Sequence, residues 1–90
     1  MIVYVSIGNS DDKLTQAEWA GFVADVTLIL HNHYVHFHGQ WYSGSFSMYQ
    51  NACFCIEIPD IEPKLLKDEL AAMARNYRQD SVAWAVAPET

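Results

Sequence analysis

Hydrophobic and polar positions alternate with period two along Tyr34–Ser43 and again along Ala52–Ile58, the pattern of two strands with one apolar face each. In the first, Val35, Phe37 and Trp41 fall on one side, and Tyr34, His36, His38, Gln40 and Tyr42 on the other. In the second, Ala52, Phe54, Ile56 and Ile58 alternate with Cys53, Cys55 and Glu57. Antiparallel pairing with Phe37 opposite Ile56 sets Trp41 against Ala52, Val35 against Ile58, His38 against Cys55 and His36 against Glu57. A slip of one residue would bury the histidines, so this register is well specified.

Ile2–Ile7 reads as an earlier strand, β-branched and aromatic, ended by the turn formers Gly8-Asn9-Ser10-Asp11-Asp12. Thr15-Gln16-Ala17-Glu18 is a capping box, and Leu14 before it can staple onto Trp19. Apolar residues then recur at 19, 22, 23, 26, 29 and 30, which predicts a helix ending near His31-Asn32-His33. Pro59-Asp60-Ile61-Glu62-Pro63 opens a second helix, with Asp60 or Glu62 suited to its positive end. Leu66, Leu70, Met73 and Tyr77 form its buried stripe, and Lys64, Lys67, Asp68 and Arg75 face water. Arg78-Gln79-Asp80-Ser81 turns the chain into a last short strand, Val82–Ala87, followed by a frayed Pro88-Glu89-Thr90.

Strand, helix, strand, strand, helix, strand is the order of an α+β chain in which both helices cover one face of a four-stranded antiparallel sheet. The pattern resembles the ferredoxin-like βαββαβ two-layer sandwich, with strand order 4-1-3-2. Residues 1–90 then form a single domain, since no repeat, linker or low-complexity tract interrupts them. Ninety residues, 51% of them hydrophobic, suffice for one efficient core.

That topology gathers three separated segments at one end of the sheet. Asn9, Ser10 and Asp11, then Gln50 and Asn51, then Arg78, Gln79 and Asp80 meet there, with Trp41 or Tyr42 beside them and the first helix's N-terminus opening among them. Such a polar end can bind a small ligand or serve a minimal enzyme, chiefly through Asn9, Asp11, Asn51, Arg78 and Asp80. Equally, the same residues can cap one another, with Arg78 paired to Asp11 or Asp80.

The sheet's uncovered face offers His36, His38, Cys53, Cys55 and Glu57, all types that ligate zinc. Alternate residues on a strand stand about 7 Å apart, and neither Cys-x-x-Cys nor His-Glu-x-x-His spacing occurs, so a half-buried Tyr/His/Cys face is the plainer reading. No cofactor is required by the sequence. Catalysis by Cys53 or Cys55 with His38 as base has little footing, because no helix N-terminus points at either thiol to activate it.

A third candidate is the hairpin loop, where Phe46, Met48 and Tyr49 are apolar for a solvent-facing turn. With Tyr34 and Tyr42 they have the composition of an interface centre; the alternative is that the loop folds back on its own core.

Charge narrows the partners. Eleven acids against five bases give −6, which disfavours direct nucleic-acid binding and suits a basic protein partner, although acidity also simply keeps small proteins soluble. Two cysteines on one strand cannot easily bridge each other, no apolar run reaches membrane-span length, and the N-terminus lacks a basic n-region. These features fit the cytoplasm and no membrane partner.

At Gly8-Asn9-Ser10-Asp11, Gln50-Asn51-Ala52-Cys53-Phe54-Cys55 and Tyr77-Arg78-Gln79-Asp80-Ser81-Val82-Ala83-Trp84 the chain resembles short uncharacterised proteins of actinobacteria and their phages. The resemblance runs nearly the whole length and implies no catalytic residues. It implies an accessory role, such as phage–host conflict, toxin immunity or inhibition of a host enzyme. The expectation is therefore a non-catalytic interaction protein, with room for a homodimer.

Overall fold

The computed structural model describes residues 1–9, 12–44, 50–61 and 63–88. Its elements are β1 (Ile2–Gly8), α1 (Gln16–His31), β2 (His36–Tyr42), β3 (Asn51–Glu57), α2 (Lys64–Asn76) and β4 (Ala83–Val86). All strand pairs are antiparallel, in the order β2-β3-β1-β4, which is the ferredoxin-like arrangement. The expected strand order is therefore the observed one.

One face of the sheet meets both helices. Val3, Val5 and Ile7 of β1 stand opposite Ile56, Phe54 and Ala52 of β3, and all six are buried. Trp19, Phe22, Val26 and Leu30 of α1 and Leu66, Leu70 and Ala74 of α2 close over them. Fully burying a side chain such as Phe22 or Leu30 is worth roughly 1.5–3 kcal/mol, so this layer holds the fold together. The α1 stripe is as expected. In α2 it drifts by one position: Ala74 is fully buried, while Met73 and Tyr77 are only partly so.

Local signals explain the helix ends. Glu18 N–H donates to Thr15 Oγ1 at 3.1 Å, and Thr15 N–H donates to Glu18 Oε1 at 3.0 Å, completing the capping box. Leu14 and Trp19 are both buried beside it. Asn32 caps the far end. For α2 the cap position falls to Pro63, which offers no side-chain bond. Asp60 does not serve that helix: it takes the Met1 ammonium at 2.5 Å instead. Glu62 lies outside the described residues.

The hairpin register holds only halfway. His36 stands opposite Glu57 and Phe37 opposite Ile56, as expected. Between Phe37 and Gly39 a β-bulge inserts one residue, so Gly39 rather than His38 faces Cys55. Beyond it the faces exchange. Trp41 stands opposite Cys53 on the uncovered side, and Gln40 and Tyr42 stand opposite Phe54 and Ala52 on the helix side. Trp41 is thus not the partner of Ala52. Two further residues depart from the expected faces. Val35 is 63% exposed, and Tyr34 packs at the edge of the core with its ring 5.6 Å from that of Phe37.

Candidate functional site

At the polar end, Asn9 is the organising residue, and it is only 2% exposed. Its side-chain oxygen accepts from Leu14 N–H at 2.9 Å, and its Nδ2 donates to Leu14 O at 3.1 Å and Gln50 Oε1 at 3.2 Å. Its backbone N–H donates to Gln50 O at 2.9 Å. One amide therefore ties the end of β1, the entry to α1 and the entry to β3. Gln50 continues the network through a reciprocal pair with Gln16, at 2.9 and 3.2 Å.

Arg78 joins the same end from the other side, with its Nη2 2.7 Å from Glu18 Oε2. Among the described residues its partner is the capping-box glutamate of α1 rather than Asp80. The Thr15 N–H, and then the Arg78 guanidinium, hold the Glu18 carboxyl below the ordinary glutamate range. Arg78 reaches that position from a left-handed backbone conformation, φ 59°, just past the end of α2. Gln79 is buried, with its N–H on Ala74 O at 2.8 Å and its Nε2 on Tyr77 O at 3.1 Å. Asn51 starts β3 and donates its N–H to Ser43 Oγ at 3.1 Å, and Asp80 is exposed. Ser10 and Asp11 lie outside the described residues. Asn9 and Gln50 bond to each other and to α1 or its entry, and Arg78 bonds to α1.

The uncovered face carries the His and Cys residues. His36 and His38 have ring centroids 5.3 Å apart, and His38 Nε2 lies 3.2 Å from Glu57 Oε1. Cys53 is half-buried and Cys55 is 5% exposed. Tyr4 stands opposite Cys55 on β1, and the thiol beside it raises the Tyr4 hydroxyl above the usual tyrosine range. Among the described residues no three His, Cys, Asp or Glu side chains converge to hold a metal ion. His36, His38, Cys53, Cys55 and Glu57 are spread along one face rather than around a point.

A different feature emerges along β2, an edge of the sheet. Trp41 is 55% exposed and Tyr42 60%, and Val35 and Phe37 are also exposed. On the helix side an apolar groove of about 730 Å³ runs between α1 and β2, walled by Ala20, Ala24 and Leu28 and by Gln40 and Tyr42. Gln40 Nε2 donates to Tyr42 Oη at 2.5 Å along the groove. Exposed edge strands are ordinarily shielded by charges, proline, shortness or a bulge, and the β2 bulge at Phe37/Gly39 leaves Gln40–Tyr42 in regular pairing. The other edge, β4, has four residues and is followed by Pro88, whereas β2 has seven and no charged residue. Phe46, Met48 and Tyr49 of the adjoining loop lie outside the described residues.

Val35 and Phe37 are the members of this surface that alternation alone places on the buried apolar face. A signal for them exists in the sequence: no Asp, Glu, Lys or Arg occurs between Asp25 and Glu57. That interval contains the end of α1, all of β2 and most of β3. No protein-family model matches the chain, and no curated protein matches it.

Proposed function

We propose that this chain is a small interaction module without a reaction of its own, which docks a protein along the β2 edge. The observation that carries the proposal is an uncharged seven-residue edge strand whose Trp41 and Tyr42 are more than half exposed, on opposite faces. Apolar aromatic side chains beside unpaired strand backbone supply both anchors and hydrogen bonds for an added strand. An accessory role in phage–host conflict, immunity or inhibition, exerted in the cytoplasm, suits such a module. The acids lie outside this patch, so a basic partner would be met by the rest of the surface.

The polar end has less support as a ligand site, because Asn9, Gln50 and Arg78 bond within the protein. The metal reading is weaker for the reason given by the spread of its ligands.

A photo-crosslinking residue placed at Phe37 tests the docking reading in cells, with the same residue at exposed Ala72 on α2 as the control. The expected result is a discrete adduct from position 37 and none from position 72. Absence of an adduct from 37 overturns it.

A further inference from the structure

We infer that the occupant of the β2 edge is a second copy of this chain, paired antiparallel through β2 about a twofold axis near Trp41. This deepens the docking reading and rests on it. The pairing would join two four-stranded sheets into one of eight strands.

Backbone direction comes first. Ser43 N–H donates to Asn51 O at 2.9 Å, so it points into β3. Alternation along a strand then turns the N–H and C=O groups of Tyr42 and Gln40 outward, to the open edge. Trp41 between them points its backbone inward and its side chain to the uncovered face. An axis at Trp41 therefore places Gln40 of each copy opposite Tyr42 of the other. Those residues exchange backbone hydrogen bonds, and Trp41 meets its twofold mate in the close, non-hydrogen-bonded pair.

Side chains fit the same register. On the uncovered face two indoles come together, each otherwise 55% exposed. On the helix side, Tyr42 of each copy arrives beside Gln40 of the other, at the mouth of the apolar α1–β2 groove. The groove's Leu28 is also exposed, and it gains apolar neighbours as the two α1 helices approach. A twofold contact requires one surface to complement itself, which an uncharged antiparallel edge does.

Charge permits a second copy at this edge and disfavours a strongly charged partner. The chain carries −6, so two copies repel wherever acids face acids. The stretch between Asp25 and Glu57 is free of formal charge, and β2 lies at its centre. A basic partner would need acids here, and an acidic partner would need bases. Neither is supplied by β2.

Sedimentation equilibrium of the purified protein tests the inference, with Trp41→Lys and Trp41→Glu as variants. The wild type is expected at twice the 10.2 kDa chain mass. Each variant should dimerise at least about 30-fold more weakly, the scale of losing a buried tryptophan anchor. Mixing the two should restore dimers, because Lys then meets Glu at the axis. A monomeric wild type at tens of micromolar, or a dimer indifferent to both variants, overturns the inference. Hydrogen exchange on the wild type gives a second reading that does not depend on variant folding. The Gln40 and Tyr42 amides should be protected at high concentration and exchange quickly on dilution, and fast exchange at both concentrations overturns the pairing. A monomer whose position-37 crosslinker captures a different protein defeats self-pairing alone. A monomer with no adduct defeats the docking reading as well.

Discussion

The indole of Trp41 lies across Gly39. A β-carbon placed on Gly39 would stand 2.7 Å from Trp41 Cη2 and 2.9 Å from Cζ2. Gly39 is also the residue opposite Cys55, which has Tyr4 on its other flank. The ring thus fills the space that a side chain at 39 would occupy, and Cys55 is buried on a face that no helix covers. Thiol labelling under native conditions should therefore modify Cys53 well before Cys55. Trp41→Ala should bring the Cys55 rate up toward that of Cys53. An unchanged Cys55 rate would mean that Tyr4 alone shields it.

Asn9→Ala should destabilise the protein by about 2–3 kcal/mol, because it strips the buried Leu14 N–H and carbonyl of their side-chain partner. Asn9→Asp keeps the acceptor for Leu14 N–H but loses the donors to Leu14 O and Gln50 Oε1, so it should recover little. Urea unfolding of both variants measures this.

Tyr77 and Gly21 should be coupled. Tyr77 Oη donates to Asp25 Oδ2 at 2.6 Å, and its ring stacks on Phe22 at 4.8 Å. A β-carbon at Gly21 would come within 2.9 Å of that hydroxyl, while the nearest ring atoms would be at an ordinary 3.8 Å. Replacing a helix glycine by alanine normally gains roughly 0.5–1 kcal/mol. Gly21→Ala should show that gain only in the Tyr77→Phe background and should lose it in the wild type. A double-mutant cycle by thermal unfolding decides, and additive effects would refute the contact.

Acid should weaken the polar end through Glu18. Its folded pKa is lowered, so its contribution is fully present above the ordinary glutamate value and is lost as pH falls through the folded one. Unfolding free energies measured from pH 6 down to pH 3 should fall less steeply for Glu18→Gln than for the wild type. Tyr77 has the opposite sign: its hydrogen bond to Asp25 raises its pKa, so its contribution holds below about pH 10 and fades as pH rises through the raised value. Tyr77→Phe should flatten that alkaline decline.

Local patterns in the sequence reach as far as local physics does. The capping box at Thr15–Glu18 and the stripe from Trp19 to Leu30 depend on neighbours within a turn or two, and both are seen where periodicity puts them. Strand order followed because few connections between such elements are sterically available. The partner of Arg78 was not legible, since Glu18 lies 60 residues away and other acids sit closer in sequence. The bulge is harder to read from the sequence. A glycine inside a strand is a recognised bulge signal, and Gly39 was that signal, but unbroken alternation through Trp41 read as the simpler pattern. Strict alternation gives His38 the place opposite Cys55 that Gly39 takes, and Trp41 the core-facing position that belongs to its neighbours.

The bulge also lets the hairpin absorb a change in chain length. Deleting one residue at His38-Gly39 would remove the bulge and restore strict alternation, and every face from Gln40 onward would stay as it is, with Trp41 opposite Cys53 and Tyr42 opposite Ala52. No residue identity beyond the deletion would change, and the first half of the strand would keep its pairing with Glu57 and Ile56. A single codon lost at this point is therefore a route by which related chains could shed the bulge and still present the same aromatic surfaces.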